Sequence, residues 1–257
     1  MGLTLGLIGG GGSILTVPIL VYLFSVDAVL ATTYSLFIVG LTSLIGSFSH
    51  ISQGNVHWKT AFVFGIPSII SVYMTRLYLV PLIPEHIFQM GDFIMSKSLM
   101  ILLFFALLMV FASYTMIRKS KAIKEKADQE ISYNYPLILV EGIVVGTITG
   151  LVGAGGGFLI IPALVLLAKL PMKQAVGTSL VIIAMKSLIG FTGDLKGGEA
   201  IDWHFLGYFS VIAIVGIIVG SILSKKVDDD KLKPAFGYFV LLMGIYIITK
   251  ELFFKHT

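Results

Sequence analysis

One lysine stands inside an otherwise apolar stretch: Lys186, in IIAMKSLIG. At the centre of a membrane span a lysine costs on the order of 2.5–3.5 kcal/mol and therefore needs a reason to be there. Two glycine runs accompany it, Gly9–Ser13 (GGGGS) and Gly153–Gly157 (GAGGG), each followed five residues later by a proline, Pro18 and Pro162. A glycine run that ends at a helix start presents bare N–H groups and the positive end of the helix dipole. Gly11, Gly12 and Ser13 in the first run, and Gly155, Gly156 and Gly157 in the second, can thus offer donors to an anion. Hydroxyls supply a third set. Ser35 and Ser43, like Ser179 and Ser187, are eight residues apart, about two helical turns, so each pair lines one face. Thr178 lies beside Ser179. Donors and one cation, without a nucleophile–base pair, suit holding a small anion rather than breaking a bond.

Each feature has a plainer reading. Glycine also permits close helix packing, a serine can bond back to its own helix carbonyl, and a lysine can snorkel to the interface on its four methylenes. Arg76 and Glu141 fall close to the ends of apolar stretches and are expected to anchor at the interface. His50 and Asp194 end equivalent helices and are candidates to carry a proton if transport is proton-coupled. The five histidines, His50, His57, His86, His204 and His256, all fall in loops, near span ends or at the C-terminus, so no serine has an internal base. That weakens an intramembrane enzyme. With no cysteine in the chain, disulfides, cysteine metal sites and thiol catalysis are excluded, and no cofactor is expected. An anion channel stays open beside a carrier.

The elements that would hold these groups are membrane helices. Of 257 residues 56% are apolar and 12% charged, and mean hydropathy is +0.97, too apolar to cover a water-soluble surface. Stretches near the ~20 residues needed to cross hydrocarbon are 28–48, 60–80, 99–117, 136–151, 175–191, 205–223 and 236–253. Their unbroken apolar runs do not alternate as barrel strands do. The trailing basic residues sit in short loops, which accounts for the net charge of +4 as cytoplasmic-loop charge rather than a nucleic-acid surface.

The chain also contains itself twice. Gly6–Gly54 overlies Gly150–Gly198 without a gap, and nineteen of 49 positions are identical, including six glycines, a proline and two serines. The linker Arg118–Asn134 carries five basic residues against three acidic ones, and the loop Lys225–Lys233 has four lysines. Both are expected in the cytoplasm, with Pro84–Asp92 and Asp194–Asp202 outside. An even number of crossings must separate the two basic loops, which requires the run 153–157 to reverse the chain. Each copy then has five segments, and two odd-numbered copies must run in opposite senses. The expectation is an all-α polytopic membrane protein of two inverted-topology repeats, 1–117 and 135–257, joined by 118–134. Each repeat would have a glycine-broken or re-entrant helix, with both glycine runs non-helical and close together about a pseudo-two-fold axis in the membrane plane. The first copy, with only five residues ahead of Gly6, reads as truncated at its start.

The pattern G-L-[IV]-G-x-G-G-[GS]-x-L-x-x-P followed by A-x-x-x-S-L occurs at Gly6–Pro18 with Ala31–Leu36, and again at Gly150–Pro162 with Ala175–Leu180. A looser G-x-x-x-[WD] echo occurs at Gly54–Trp58 and Gly198–Asp202. In these motifs, over essentially the whole chain, the sequence resembles the TauE/SafE-like family of sulfite and organosulfonate exporters. The resemblance implies a multi-pass permease of the bacterial inner membrane whose partners are a small anionic, often sulfur-containing, solute and membrane lipid. It gives Ser35 and Ser179 added weight as site residues, and leaves a homodimer, the substrate and the direction of transport open.

Because the chain has no native cysteine, a single cysteine at Lys124 reports the side of the linker. It should resist a membrane-impermeant maleimide added from the periplasm; labelling from that side refutes the topology.

Overall fold

The computed structural model describes residues 1–90, 93–117, 135–166, 168–195, 201–224 and 229–254. The linker expected over 118–134 lies outside these residues, as do parts of the three loops assigned by charge. Among the described residues six helical stretches are long and apolar enough to cross a bilayer. They are α3 (Ala28–Ser52), α4 (Trp58–Met74) with its extension to Leu82, α6 (Lys97–Ile117), α9 (Met172–Leu195), α10 (Trp203–Ser224) and α11 (Asp229–Thr249). The extension is a π-helical turn, Thr75–Leu79, followed by the short α5 (Val80–Leu82). The chain is an all-α polytopic membrane protein.

There are also four shorter α-helices, α1 (Gly2–Ile8), α2 (Thr16–Tyr22), α7 (Tyr135–Val152) and α8 (Gly157–Leu166), and a π-helical turn, Lys250–Phe254, after α11. At 1.5 Å per residue α8 reaches only about 15 Å. Each copy thus has five helical segments in the expected order, with α1 and α2 matched by α7 and α8, and α3, α4 and α6 matched by α9, α10 and α11.

The glycine runs differ from expectation in one copy. Residues 153–156 form an irregular turn with Gly153, Gly155 and Gly156 at φ +72°, +64° and +69°, where glycine alone is comfortable. The first run instead forms a 3₁₀ helix over Gly9–Leu15, with only Gly9 at positive φ. Ser13 explains the difference: its hydroxyl donates to the Gly10 carbonyl at 2.8 Å and ties the turn, and its counterpart in the second copy is Gly157, which has no hydroxyl. A second correction concerns the loop expected over Pro84–Asp92. The structure has an antiparallel hairpin, β1 (His86–Met90) with β2 (Phe93–Ser96), bulged between His86 and Phe88. The Gly91–Asp92 dipeptide, flanked by the apolar Met90 and Phe93, is a hairpin signal that charge counting passes over.

Helices α3 and α9 form the middle of the molecule and are the most buried spans, about two thirds or more inside the protein, against 28% for α10 and 33% for the span of α11. Their small residues let the two backbones approach. A Cβ added to Gly46 would lie 3.8 Å from Leu180 Cδ1, and one added to Gly190 would lie 3.6 Å from Leu36 Cδ1. These are symmetry-equivalent contacts, and with Gly40 on Leu188 they rise on one helix as they fall on the other, so α3 and α9 pack antiparallel. The flanking pairs correspond too. Gly2 and Gly6 of α1 rest on Ala213 and Ile217 of α10, as Gly146 and Gly150 of α7 rest on Ser68 and Thr75 at α4. The runs themselves meet where Gly10 and Gly157 touch backbone to backbone.

That contact leaves no room for a methyl group. Gly10→Ala and Gly157→Ala should each lower thermal stability in detergent by about 1–3 kcal/mol, the usual cost of overpacking. Gly207→Ala, with no atom within 4 Å of the added Cβ, should be neutral or slightly stabilising.

Candidate functional site

The second glycine turn lies between the two central helices and collects the polar groups. Gly153 packs on Thr32 of α3, Gly155 between Val39 of α3 and Ile183 of α9, and Gly156 on Thr149 of α7 and Lys186 of α9. Only glycine fits at Gly156, where an added Cβ would meet the Thr149 methyl group and lie 2.9 Å from the lysine Nζ. Gly156 also starts α8: its carbonyl accepts from Leu159 N and Ile160 N, both at 3.0 Å. The first N–H groups of that helix have no carbonyl of their own helix to bond.

Lys186 is 1% exposed. Its ammonium turns inward and donates to Thr149 Oγ1 at 2.9 Å rather than snorkelling outward. Thr149 in turn donates to the Gly146 carbonyl at 3.2 Å, so the hydroxyl is oriented to accept. Among the described residues no carboxylate lies within 4 Å of Lys186. An ammonium has three protons to donate, and one neutral hydroxyl does not balance its charge.

Ser35, Ser43 and Ser187 are fully buried, and their hydroxyls have no hydrogen-bond partner among the described residues. A buried hydroxyl left unpaired costs about 1–3 kcal/mol. The antiparallel register sets Ser43 and Ser187 within a turn of the level of Lys186, and Ser35 nearer the other end of the glycine turn. The remaining sequence-derived candidates serve local structure. Ser13 bonds Gly10 within its turn. Ser179 donates to the Val176 carbonyl of its own helix at 2.8 Å, and Thr178 accepts the His57 N–H at 2.9 Å, which fixes the loop between α3 and α4. Both lie near the start of α9, with Thr178 eight residues or about 12 Å along the helix from Lys186. Gly11 and Gly12 fall within the 3₁₀ helix.

A second charged cluster was not expected. Arg76 is 1% exposed, enclosed by the protein rather than laid against the bilayer surface: its Nη1 donates to Thr32 Oγ1 at 2.9 Å and lies 3.3 Å from Asp194 Oδ2. That contact pairs the charges without hydrogen-bond alignment, so Asp194 Oδ2 accepts no bond. Thr33 faces the same carboxylate. Counting residues to the nearest span end put Arg76 at the surface; its partner 118 positions away could not be counted.

A model of the family described as "Sulfite exporter TauE/SafE" matches residues 1–247. The chain belongs to the TauE/SafE family. It is similar to a "Probable membrane transporter protein" of Xylella fastidiosa (strain 9a5c), 29% identical, with 98% of this chain and 92% of that protein covered. A protein of Methanocaldococcus jannaschii named "Probable membrane transporter protein MJ0441" is also 29% identical, covering 96% of this chain and 91% of that protein. The Bacillus subtilis "Probable membrane transporter protein YunE" is 27% identical over 96% and 93%. No solved structure matches the chain. As a TauE/SafE protein it is a membrane transporter of a small solute, not an enzyme.

The Lys186–Thr149 bond makes a direct prediction. Thr149→Val removes the one acceptor the ammonium has among the described residues and should cost about 1–3 kcal/mol in thermal unfolding. Ser179→Ala loses only a bond within its helix and should cost about 1 kcal/mol or less.

Proposed function

We propose that this TauE/SafE transporter carries a small oxyanion, a sulfite, a sulfonate or a related organosulfur or carboxylate compound, held near the bilayer midplane between two inverted-topology repeats. The observation that carries this reading is Lys186: a fully buried cation, pressed on a glycine turn, whose charge no carboxylate among the described residues answers. An anion entering a low-dielectric pocket loses hydration and is tolerated only if paired and hydrogen-bonded. The ammonium supplies the pairing. The free hydroxyls of Ser43 and Ser187 and the first N–H groups of α8 supply the bonds, and binding the anion would relieve the cost each of them bears unpaired.

The antiparallel register of α3 and α9, and the matching of α1·α10 with α4·α7, support the inverted arrangement. Such repeats place substrate sites where broken helices meet at the midplane. The large exposed apolar residues of α10 and α11, such as Ile212 and Leu242, belong against acyl chains, and the bacterial inner membrane is the bilayer the family resemblance favours.

In proteoliposomes, Lys186→Met should reduce oxyanion flux at least ~10-fold, about 1.4 kcal/mol or more of lost binding, while the protein stays folded, since removing an unpaired buried charge relieves a desolvation cost. Normal flux in this variant overturns the role of the lysine. Sulfite, thiosulfate, taurine, sulfoacetate and small carboxylates are the panel to screen. Saturation with counterflow is expected of a carrier; its absence identifies a channel.

A further inference from the structure

The Arg76 cluster is chemically unfinished. A guanidinium has five N–H donors in a planar fork and accepts nothing. Here Nη1 serves both Thr32 and Asp194, while Nε and Nη2 have no partner among the described residues, and the whole side chain is buried. Nε and Nη2 share one edge of the fork, the edge that takes two oxygens of a carboxylate or sulfur oxyanion side by side. Asp194 does not use that edge: it touches the opposite corner at 3.3 Å without forming a hydrogen bond. A purely structural arginine–aspartate pair in hydrocarbon would be expected to close the fork bidentately, because an unfilled buried donor is costly.

The backbone at this residue is irregular too. Arg76 sits in the π-helical turn Thr75–Leu79, and such insertions into α-helices occur frequently at functional sites. Pro81, which lacks an N–H, follows within the next turn and cannot continue the regular ladder. The turn turns Arg76 toward α9, where Gly193 leaves space: an added Cβ there would lie 3.1 Å from Arg76 Cβ. Asp194 and Lys186 are eight residues apart on α9, about 12 Å, and one glycine turn spans the interval, with Gly153 on Thr32 and Gly156 on Lys186.

We propose that Arg76 is a second oxyanion station, in which the free Nε/Nη2 edge binds a carboxylate, sulfite or sulfonate group that takes over the charge pairing supplied by Asp194 when the station is empty. The exchange is one of ion pairs and forms no covalent bond. It rests on the reading of Lys186 as an anion site only for the class of ligand, and a transported anion would meet the two cations in turn.

The test is chemical rescue in the purified full-length protein. Asp194→Ala removes the resident carboxylate and should melt several degrees below wild type in chloride. Acetate or sulfite at the same ionic strength should restore the melting temperature saturably, and by more than either shifts wild type. Arg76→Gln/Asp194→Ala should show no oxyanion-specific rescue. An Asp194→Ala protein that responds no more to acetate or sulfite than to chloride overturns the proposal. So does a rescue that disappears in Lys186→Met/Asp194→Ala, because the anion then sits at Lys186. Rescue that survives in that double variant supports Arg76 even if Lys186→Met alone transports normally, which separates the two readings. If Asp194→Ala does not fold, Thr33→Val loosens the hold on Asp194 while keeping both charges. It should lower the sulfite concentration for half-saturation several-fold, and an unchanged or higher value overturns the station.

Discussion

Hydrocarbon offers a buried polar group nothing to bond with, and the central part of this protein is organised by that constraint. Every donor placed within the spans must find its partner in the protein or in what the protein binds. Thr42 meets the constraint by bonding back to the Ile38 carbonyl at 2.6 Å, Thr32 by bonding to the Val29 carbonyl while accepting from Arg76, and Thr149 by joining Lys186 to the Gly146 carbonyl. Among the groups that do not meet it, the hydroxyls of Ser35, Ser43 and Ser187 lie on α3 and α9 and one edge of a guanidinium lies beside them at Arg76, while Ser68 on α4 and Ser210 on α10 are unpaired as well. The unpaired donors at the α3–α9 interface and at Arg76 are the ones that the proposed oxyanion would satisfy.

Glycine makes the arrangement sterically available. At Gly156 a side chain would displace the ammonium, and at Gly10 and Gly157 it would separate the two halves of the chain. The same residues that read as helix breakers in the sequence therefore also read as contact points in the structure. Their two roles do not compete, because a backbone that must turn inside a membrane has to be buried by another backbone.

Much of the scaffold was legible from one sequence. Six of the seven stretches picked out by apolar run length are helices long enough to cross, the seventh, 136–151, being the shorter α7, and a break in the helix at 153–157 followed from the need to reconcile two basic loops. Lys186 was visible because a lysine in IIAMKSLIG has few innocent explanations. What escaped were properties of pairs. The expectation that Arg76 is interfacial counted residues along one helix and could not see Asp194 across another. The 3₁₀ form of the first glycine run depends on a single hydroxyl, Ser13, that the second run lacks, and repeat alignment rewards what is shared rather than what differs. Ser179 stood out because both copies carry it, yet its hydroxyl is occupied by its own helix, while Thr149, whose counterpart in the first copy is the apolar Leu5, holds the lysine.

The antiparallel register of α3 and α9 sets Thr42 and Lys186, which occupy the same position in the two copies, at the same level of the crossing. Two identical chains assembled about that crossing would have to present the residue twice: two lysines face to face, repelling each other in a medium that screens poorly, or two threonines and no cation at all. Joining the copies in one polypeptide removes that obligation. One copy can keep the cation while the other supplies a neutral wall, and a single negative charge can then be matched by a single positive one. For the anion site proposed above, covalent fusion would let two matched copies set a single cation, on one copy only, at their crossing.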